Sequence, residues 1–240
     1  MIRTPSVRNF CYASVVLAVA LCFNGFAQDG EKPPTKTEEK PPIRVGVADE
    51  DKTGKLPELT TAIGKRAALA FAKKDWKTAR KLYAEVLAID SKNSLALANM
   101  GAVTFQLGDY KAAQGHLEKA VAENPKLVQA RVTLGMAYYY DENHYLAVSH
   151  LTRAVHDQPK NARAHMYLAV VAKHAGWSGA AEEELRKAIA ADPDYPEAHY
   201  NLALIYLEQN PPVIELARRH YNRALELGAE PNPKMAAKVK

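Results

Sequence analysis

Residues 94–127 have the sequence SLALANMGAVTFQLGDYKAAQGHLEKAVAENPKL. Two stretches in it carry an apolar residue at every third or fourth position, which is the spacing of an amphipathic helix. A polar turn, Leu107-Gly108-Asp109-Tyr110, separates the stretches, and Pro125 ends the second one. Because glycine and proline interrupt helices, the segment predicts two antiparallel helices joined by a short turn.

The same pattern returns every 34 residues. Units numbered from Thr60, Ser94, Val128, Ala162 and Pro196 carry matching residues at matching positions. Position 8 is always small (Ala67, Gly101, Gly135, Ala169 and Ala203), position 20 is alanine in four units (Ala79, Ala113, Ala147 and Ala181), and position 32 is proline in three (Pro125, Pro159 and Pro193). Small residues let two helix backbones approach closely. One such hairpin cannot bury its apolar face alone, so the units are expected to stack into an array.

Gly101, Tyr110, Ala113, Ala120 and Pro125 follow the small, aromatic, small, small and proline pattern of a known family. Over about residues 60–229 the chain resembles the tetratricopeptide repeats. The resemblance implies an all-α fold, a right-handed superhelix of stacked helix hairpins. It places a repeat domain at residues 56–229, with units near 60–93, 94–127, 128–161, 162–195 and 196–229. The fifth unit departs from the pattern by two extra residues around Pro211-Pro212, which shift Ala217, Tyr221 and Ala224.

The first 27 residues are typical of a signal peptide. Arg3 and Arg8 precede an apolar run from Cys11 to Phe23, and small residues stand before a cut after Ala27. The run is shorter than the ~20 residues that cross a bilayer comfortably. Cleavage is the favoured interpretation, and an uncleaved inner-membrane anchor at residues 10–27 is the alternative. Either way, we expect the repeats to be exported to the periplasm or the extracellular space.

Residues 28–55 are expected to be a disordered linker rich in proline, lysine and glutamate. Prolines and unpaired charges disfavour regular structure, although residues 43–47, Ile-Arg-Val-Gly-Val, form an apolar patch within it. Residues 230–240 are expected to be a basic tail. Between residues 56 and 229 the charges nearly balance, with 21 Lys or Arg against 19 Asp or Glu. Because nucleic-acid binding needs basic residues gathered on one surface, we expect no nucleic-acid partner.

No residue pattern indicates catalysis. Both cysteines, Cys11 and Cys22, lie in the leader, so the mature chain would have no thiol. His165 and His199 share position 4 of successive units, but no cysteine or carboxylate pair at ligand spacing accompanies them. The family prefers a bulky aromatic there, and a histidine ring replaces it naturally. We therefore expect a protein that is not an enzyme and that holds no cofactor or metal.

The first helix of each unit carries a second apolar surface. Helical geometry places positions 5, 9 and 12 opposite the buried arc, where they should be polar and exposed. They are mostly apolar, and in arrays that this chain resembles they line the concave surface where partners lie. The predicted groove consists of Phe71, Phe105, Val132, Met136, Tyr139, Tyr140, Met166, Val170, Lys173, Tyr200, Leu204 and Leu207, with a polar rim of Asn99, Gln106, His174 and Asn201.

Two other interpretations of this strip stay open. A tightly curved superhelix would pack positions 9 and 12 between adjacent first helices, or the linker would fold back and cover them. If the groove is real, the favoured function is a non-catalytic scaffold in the cell envelope that binds a segment of a protein partner. Alternatives are a cell-wall polymer or carbohydrate-binding module using Tyr138, Tyr139, Tyr140 and Tyr200, and an accessory subunit of an envelope assembly or secretion machine. Polar residues on the last helix favour a monomer.

Overall fold

The structure is a computed structural model that describes residues 58–240, with side chains from Thr60 onward. The predicted leader, residues 1–27, and the predicted linker, residues 28–55, lie outside the described part of the chain. Within residues 58–240 every regular element is a helix. The helices are α1 (Glu58–Ala72), α2 (Trp76–Ile89), α3 (Ser94–Gln106), α4 (Tyr110–Glu123), α5 (Val128–Tyr140), α6 (His144–Asp157), α7 (Ala162–His174), α8 (Ser178–Ala191), α9 (Pro196–Glu208), α10 (Ile214–Glu226) and α11 (Pro233–Lys238).

The helices form five hairpins, from α1/α2 to α9/α10, and each hairpin packs on the next one. This confirms the predicted all-α solenoid and its 34-residue unit. The two extra residues of the fifth unit lie in the longer loop between α9 and α10.

Side-chain caps fix where many of the helices begin. The side chains of Asp75, Asn93, Asp109, Asn143 and Asn161 each accept a hydrogen bond from a backbone N–H of the first turn. Such a cap satisfies one of the unpaired N–H groups at a helix start and contributes about 1 kcal/mol. The polar residues between the apolar stretches therefore set the hairpin boundaries.

Close backbone contact explains why position 8 is small. A Cβ added at Gly101 would lie 2.4 Å from Cγ of Leu117, and one added at Gly135 would lie 2.6 Å from Cγ of Leu151. Both leucines occupy position 24 of the second helix and are fully buried. In the second and third hairpins the two helices thus meet with a leucine packed directly over a glycine.

Residues 230–240, predicted to be a basic tail, form a helix that packs on the end of the array. They form α11, in which Met235 is buried, followed by a buried Val239. Arg218 Nε of α10 donates a hydrogen bond to the Val239 carbonyl oxygen at 2.5 Å. The backbone N–H of Asn232 donates to the Tyr221 hydroxyl at 2.8 Å. Helix α11 therefore covers part of α10 and binds Arg218, whereas Arg219 remains exposed.

From Glu58 to the C-terminus, no helix has both the length and the apolar character needed to cross a membrane.

Candidate partner-binding face

The structure buries five of the predicted groove residues. Phe71, Phe105, Val132, Met136 and Met166 all have exposed fractions of 6% or less. The prediction that they face solvent is therefore wrong.

Packing between first helices explains this burial from the second unit onward. Consecutive first helices from α3 to α9 contact one another directly, in addition to contacting their hairpin partners. Val132, Met136 and Met166, at positions 5 and 9 of the third and fourth units, fall into these contacts and become core. The first alternative left open by the sequence, packing of positions 9 and 12 between adjacent first helices, therefore holds at Met136 and Phe105 but not at Val170, Leu204 and Leu207, which are half-buried. The Phe71 ring packs edge-on against Trp76 with centroids 5.0 Å apart, and Phe105 packs against Tyr110 at 5.5 Å.

The remaining predicted residues are only partly covered. Tyr139, Tyr140, Val170, Lys173, Tyr200, Leu204 and Leu207 are half-buried, as are the rim residues Asn99, Gln106 and Asn201, and His174 is exposed. We call Val170, Lys173, Leu204 and Leu207, at positions 9 and 12 of the fourth and fifth units, the C-terminal strip. Lys173 Nζ lies 2.9 Å from Glu208 Oε1, an ion pair that joins α7 to α9 beside the strip. The concave surface thus keeps accessible apolar area mainly in its last two units.

A chain of ring contacts runs along the concave edge. We call Phe105, Tyr110, Tyr139, Tyr140, His144 and His174 the aromatic ladder. Tyr140 stacks on Tyr110 with centroids 5.1 Å apart and planes 17° apart, and it also meets Phe105 at 5.6 Å. Tyr139 continues the ladder to His174 at 5.6 Å. The ladder therefore links the second, third and fourth units.

Two ladder members were not predicted from the sequence. Tyr110 and His144 both occupy position 17, the first residue of the second helix, where the first unit has Trp76. His144 lies 4.6 Å from His174 between ring centroids. The 34-residue period shows that position 17 is often aromatic. It does not show that this position lies beside positions 12 and 13, because position 17 begins the second helix and the other two end the first. Recognising the ladder requires the turn geometry that brings the two helices together.

One tyrosine proposed for sugar stacking is part of the core. Tyr138 is buried, its hydroxyl donates a hydrogen bond to the Glu118 carboxylate, and its ring stacks on His150 with centroids 5.4 Å apart. It is unavailable to a ligand in this structure.

The position-4 side chains connect successive units. Nε2 of His165 lies 3.0 Å from the carbonyl oxygen of Pro159, and Nε2 of His199 lies 3.0 Å from that of Pro193. In the third unit Arg131 donates to the Pro125 carbonyl at 3.0 Å. Each bond satisfies a carbonyl near the end of the preceding second helix, where intrahelical donors run out. These histidines therefore have a structural role that replaces the aromatic of the family.

The other ring nitrogen of each histidine meets position 23 of the second helix. His165 Nδ1 lies 2.6 Å from Glu184 Oε2, an ion pair when the imidazole is protonated. Burial raises the pKa of Glu184, but hydrogen bonds from His165 and Lys187 outweigh burial and hold this pKa below its usual value. In the fifth unit the partner is His220, whose Nδ1 lies 2.9 Å from Nδ1 of His199. No cluster of three or more metal-ligating residues occurs among residues 58–240.

The His199–His220 pair predicts a loss of stability in acid. Burial, with the charges of His199, Arg219 and Arg186, lowers the pKa of His220 from 6.5 to about 4. Between these two pH values the unfolded chain binds a proton that the folded chain does not, so the free energy of unfolding should fall as pH drops through this window. Allowing for solvent screening of a half-exposed ring, we expect His220 to account for about 1–2 kcal/mol.

Urea denaturation at pH 7.5 and at pH 4.5 measures this effect. His220→Gln should show a smaller acid loss than the unchanged protein, whereas His156→Gln, at an exposed position on α6, should not. An identical acid loss in the His220→Gln protein would contradict the assignment.

Two family models match the sequence. One, described as "Tetratricopeptide repeat", matches residues 70–132, and the other, described as "TPR repeat", matches residues 179–210. Both matches fall within the stacked hairpins. The chain contains tetratricopeptide repeats. No curated protein sequence matches it significantly.

Solved tetratricopeptide repeat structures share the fold. A crystal structure of MamA is 25% identical, with a TM-score of 0.57, and the match covers 67% of this chain and 93% of that one. The pilF protein of Pseudomonas aeruginosa is 18% identical, with a TM-score of 0.68 and coverage of 75% and 81%. YrrB, described as a TPR protein with an unusual peptide-binding site, is 22% identical, with a TM-score of 0.55 and coverage of 73% and 88%. At these identities the last two establish the fold alone.

Proposed function

We propose that this tetratricopeptide repeat protein is an exported, non-catalytic scaffold that holds a segment of a partner protein against its concave face. The observation that carries the proposal is the C-terminal strip. Val170, Leu204 and Leu207 are aliphatic and half-exposed at positions that face the inner side of the array. A contiguous apolar surface with polar neighbours is typical of a protein-interaction site. The peptide-binding site named for YrrB supports the same use of a related fold.

The free energy needed for micromolar binding indicates how large the contact surface with the partner must be. Burying the exposed remainder of three aliphatic side chains contributes about 2–4 kcal/mol at ~25 cal/mol per Å². Micromolar binding needs about 8 kcal/mol. The partner must therefore also contact neighbouring groups, and the half-exposed rings of Tyr139 and Tyr140 lie next along the face. We infer a segment that extends across the third, fourth and fifth units.

The Lys173–Glu208 ion pair at the edge of the strip would orient the bound partner segment. Lys173 and Glu208 keep 27% and 53% of their side-chain surface exposed, so each has room for a further hydrogen bond. One offers donors and the other acceptors, which suits the main chain of an extended segment. Exposed ion pairs of this kind contribute little net affinity. The role of this pair would therefore be to fix the position of the bound segment along the strip.

A carbohydrate ligand is the second candidate, because tyrosine rings also stack on sugars. Tyr139 and Tyr200 are half-exposed, which favours it. Against it, Tyr138 is buried, and one face of Tyr140 is already stacked on Tyr110. The aliphatic C-terminal strip suits a peptide better than a sugar, since sugars are bound by rings and hydrogen-bonding groups.

Binding to two separated fractions distinguishes these candidates. The full chain, carrying an affinity tag, should retain a discrete protein from a solubilised envelope-protein fraction and should not sediment with purified cell-wall polymer. Sedimentation with the polymer, together with no retained protein, would contradict the scaffold and support the carbohydrate module. The exported setting is tested in the same cells by locating the protein after osmotic release of the periplasm.

A further inference from the structure

Residues at equivalent positions of the concave face are buried to different extents along the array. At position 12, Phe71 and Phe105 are buried, whereas Lys173 and Leu207 are half-exposed. At position 9, Met136 is buried and its counterparts in the fourth and fifth units are half-exposed. The accessible surface that remains in the third unit belongs to ring faces of the aromatic ladder. The two ends of the concave face are therefore suited to different occupants.

We propose that residues 43–47 of the same chain, Ile-Arg-Val-Gly-Val, dock in cis on the aromatic ladder. In an extended backbone Ile43, Val45 and Val47 point to one side, because side chains alternate with a period of two. Three β-branched residues then present a narrow apolar ridge, and Gly46 adds no bulk on the other side. Pro42 directly before the segment has a fixed backbone angle and favours an extended start. Such an apolar ridge suits contact with the half-exposed tyrosine rings.

The length of chain before α1 limits where the segment reaches. Helix α1 has 15 residues and begins at Glu58, so its C-terminal end lies about 22 Å away. The ladder lies at the C-terminal ends of the first helices, beginning one unit further along, at about 10 Å per packed helix. The 11 residues from Val47 to Glu58 extend to at most about 36 Å and spread over about 18 Å as a coil. The segment therefore reaches Phe105 and Tyr140.

The same length excludes the fifth-unit part of the C-terminal strip as its site. Leu204 and Leu207 lie two or three further helices along the array, which adds roughly 20–30 Å. Cis docking on the ladder would thus leave Leu204 and Leu207 accessible.

Because residues 43–47 belong to the same chain as the ladder, even a weak contact between them would be substantially populated. A short connection within one chain gives an effective concentration on the order of millimolar. A segment with millimolar intrinsic affinity would then occupy the ladder about half of the time, and a tighter one would occupy it mostly. Under the proposed function, the docked segment competes with a partner for Tyr139 and Tyr140, so it would act as a built-in competitor. The docking itself does not depend on that function.

Paramagnetic broadening in the full chain tests the docking. A spin label is attached at Ala48→Cys, with Cys11 and Cys22 replaced by serine, and backbone amide signals are recorded. We expect broadening at the C-terminal ends of α3 and α5 and none in α10. Adding Val45→Asp should reduce the broadening at least threefold, because a charge on the ridge would have to be desolvated against the rings. The matched change Thr53→Asp, outside the segment, should leave the broadening unchanged.

Two results would overturn the proposal. One is broadening on α3 and α5 that Val45→Asp does not reduce, or that falls on the second helices instead. The other appears on mixing spin-labelled chains with unlabelled ¹⁵N chains: broadening that arises only between molecules would show that a second copy is the occupant. Partner capture is measured on the same variants. If the protein captures a partner but shows no cis docking, only the docking proposal is contradicted. If it shows docking but captures no partner, only the proposed function is contradicted.

Discussion

Replacing Leu151 by alanine should lower the free energy of unfolding by about 3–4 kcal/mol. Leu151 is fully buried in the central hairpin and lies over Gly135. Truncation removes apolar contact and leaves a cavity, and the glycine opposite has no side chain that could move into it. In the fourth unit the corresponding Leu185 has Ala169 at position 8 instead of glycine, so Leu185→Ala should cost somewhat less.

Urea denaturation followed by helical circular dichroism measures both changes. Leu107→Ala is the control, because this side chain is 42% exposed in the turn between α3 and α4 and its loss should change stability by less than ~0.5 kcal/mol. Since each hairpin contacts only its neighbours, a weakened central unit should also broaden the transition. A loss at Leu151 no greater than that at Leu107 would contradict the packing described for position 24.

The second large effect concerns partner binding. Leu204→Asp combined with Leu207→Asp should weaken capture of the partner at least tenfold, because two charges would have to be desolvated under the bound segment. Both side chains are half-exposed in the free protein, so the folded array should tolerate the change. A measurement of binding to the partner retained from the envelope fraction, together with a melting curve, separates these two effects.

The matched control is Leu216→Asp. Leu216 is an aliphatic residue on α10 with 36% exposure, and it lies on a second helix rather than on the concave face. Its replacement should leave capture within twofold of the unchanged protein. Equal losses of capture from the control and from the double variant would show that binding does not use the C-terminal strip.

Much of the fold follows from spacing alone. The 34-residue period predicts the hairpins and their turns to within a few residues, because glycine, proline and the capping asparagines and aspartates mark where the helices begin and end. It does not give α11, because six residues are too few to show a helical period. The burial of Met235 and Val239 depends on the end surface that the array presents.

The candidate site was less predictable for a different reason. The period identifies which positions are equivalent, but the angle between successive hairpins decides whether neighbouring first helices touch. That angle turned Val132, Met136 and Met166 from expected groove residues into core. Packing of the two helices within one hairpin places position 4 against position 23, so that His199 meets His220, a pairing that neither residue's own helix indicates.

Photocross-linking in intact cells tests whether the C-terminal strip holds a partner protein. A photoreactive residue at Leu207, on the concave face, is compared with one at Leu216, on the second helix of the same unit. We expect one discrete protein adduct from position 207, reduced by Leu204→Asp, and no such adduct from position 216. The same adduct from both positions, or none from position 207 in a fully folded protein, would contradict it.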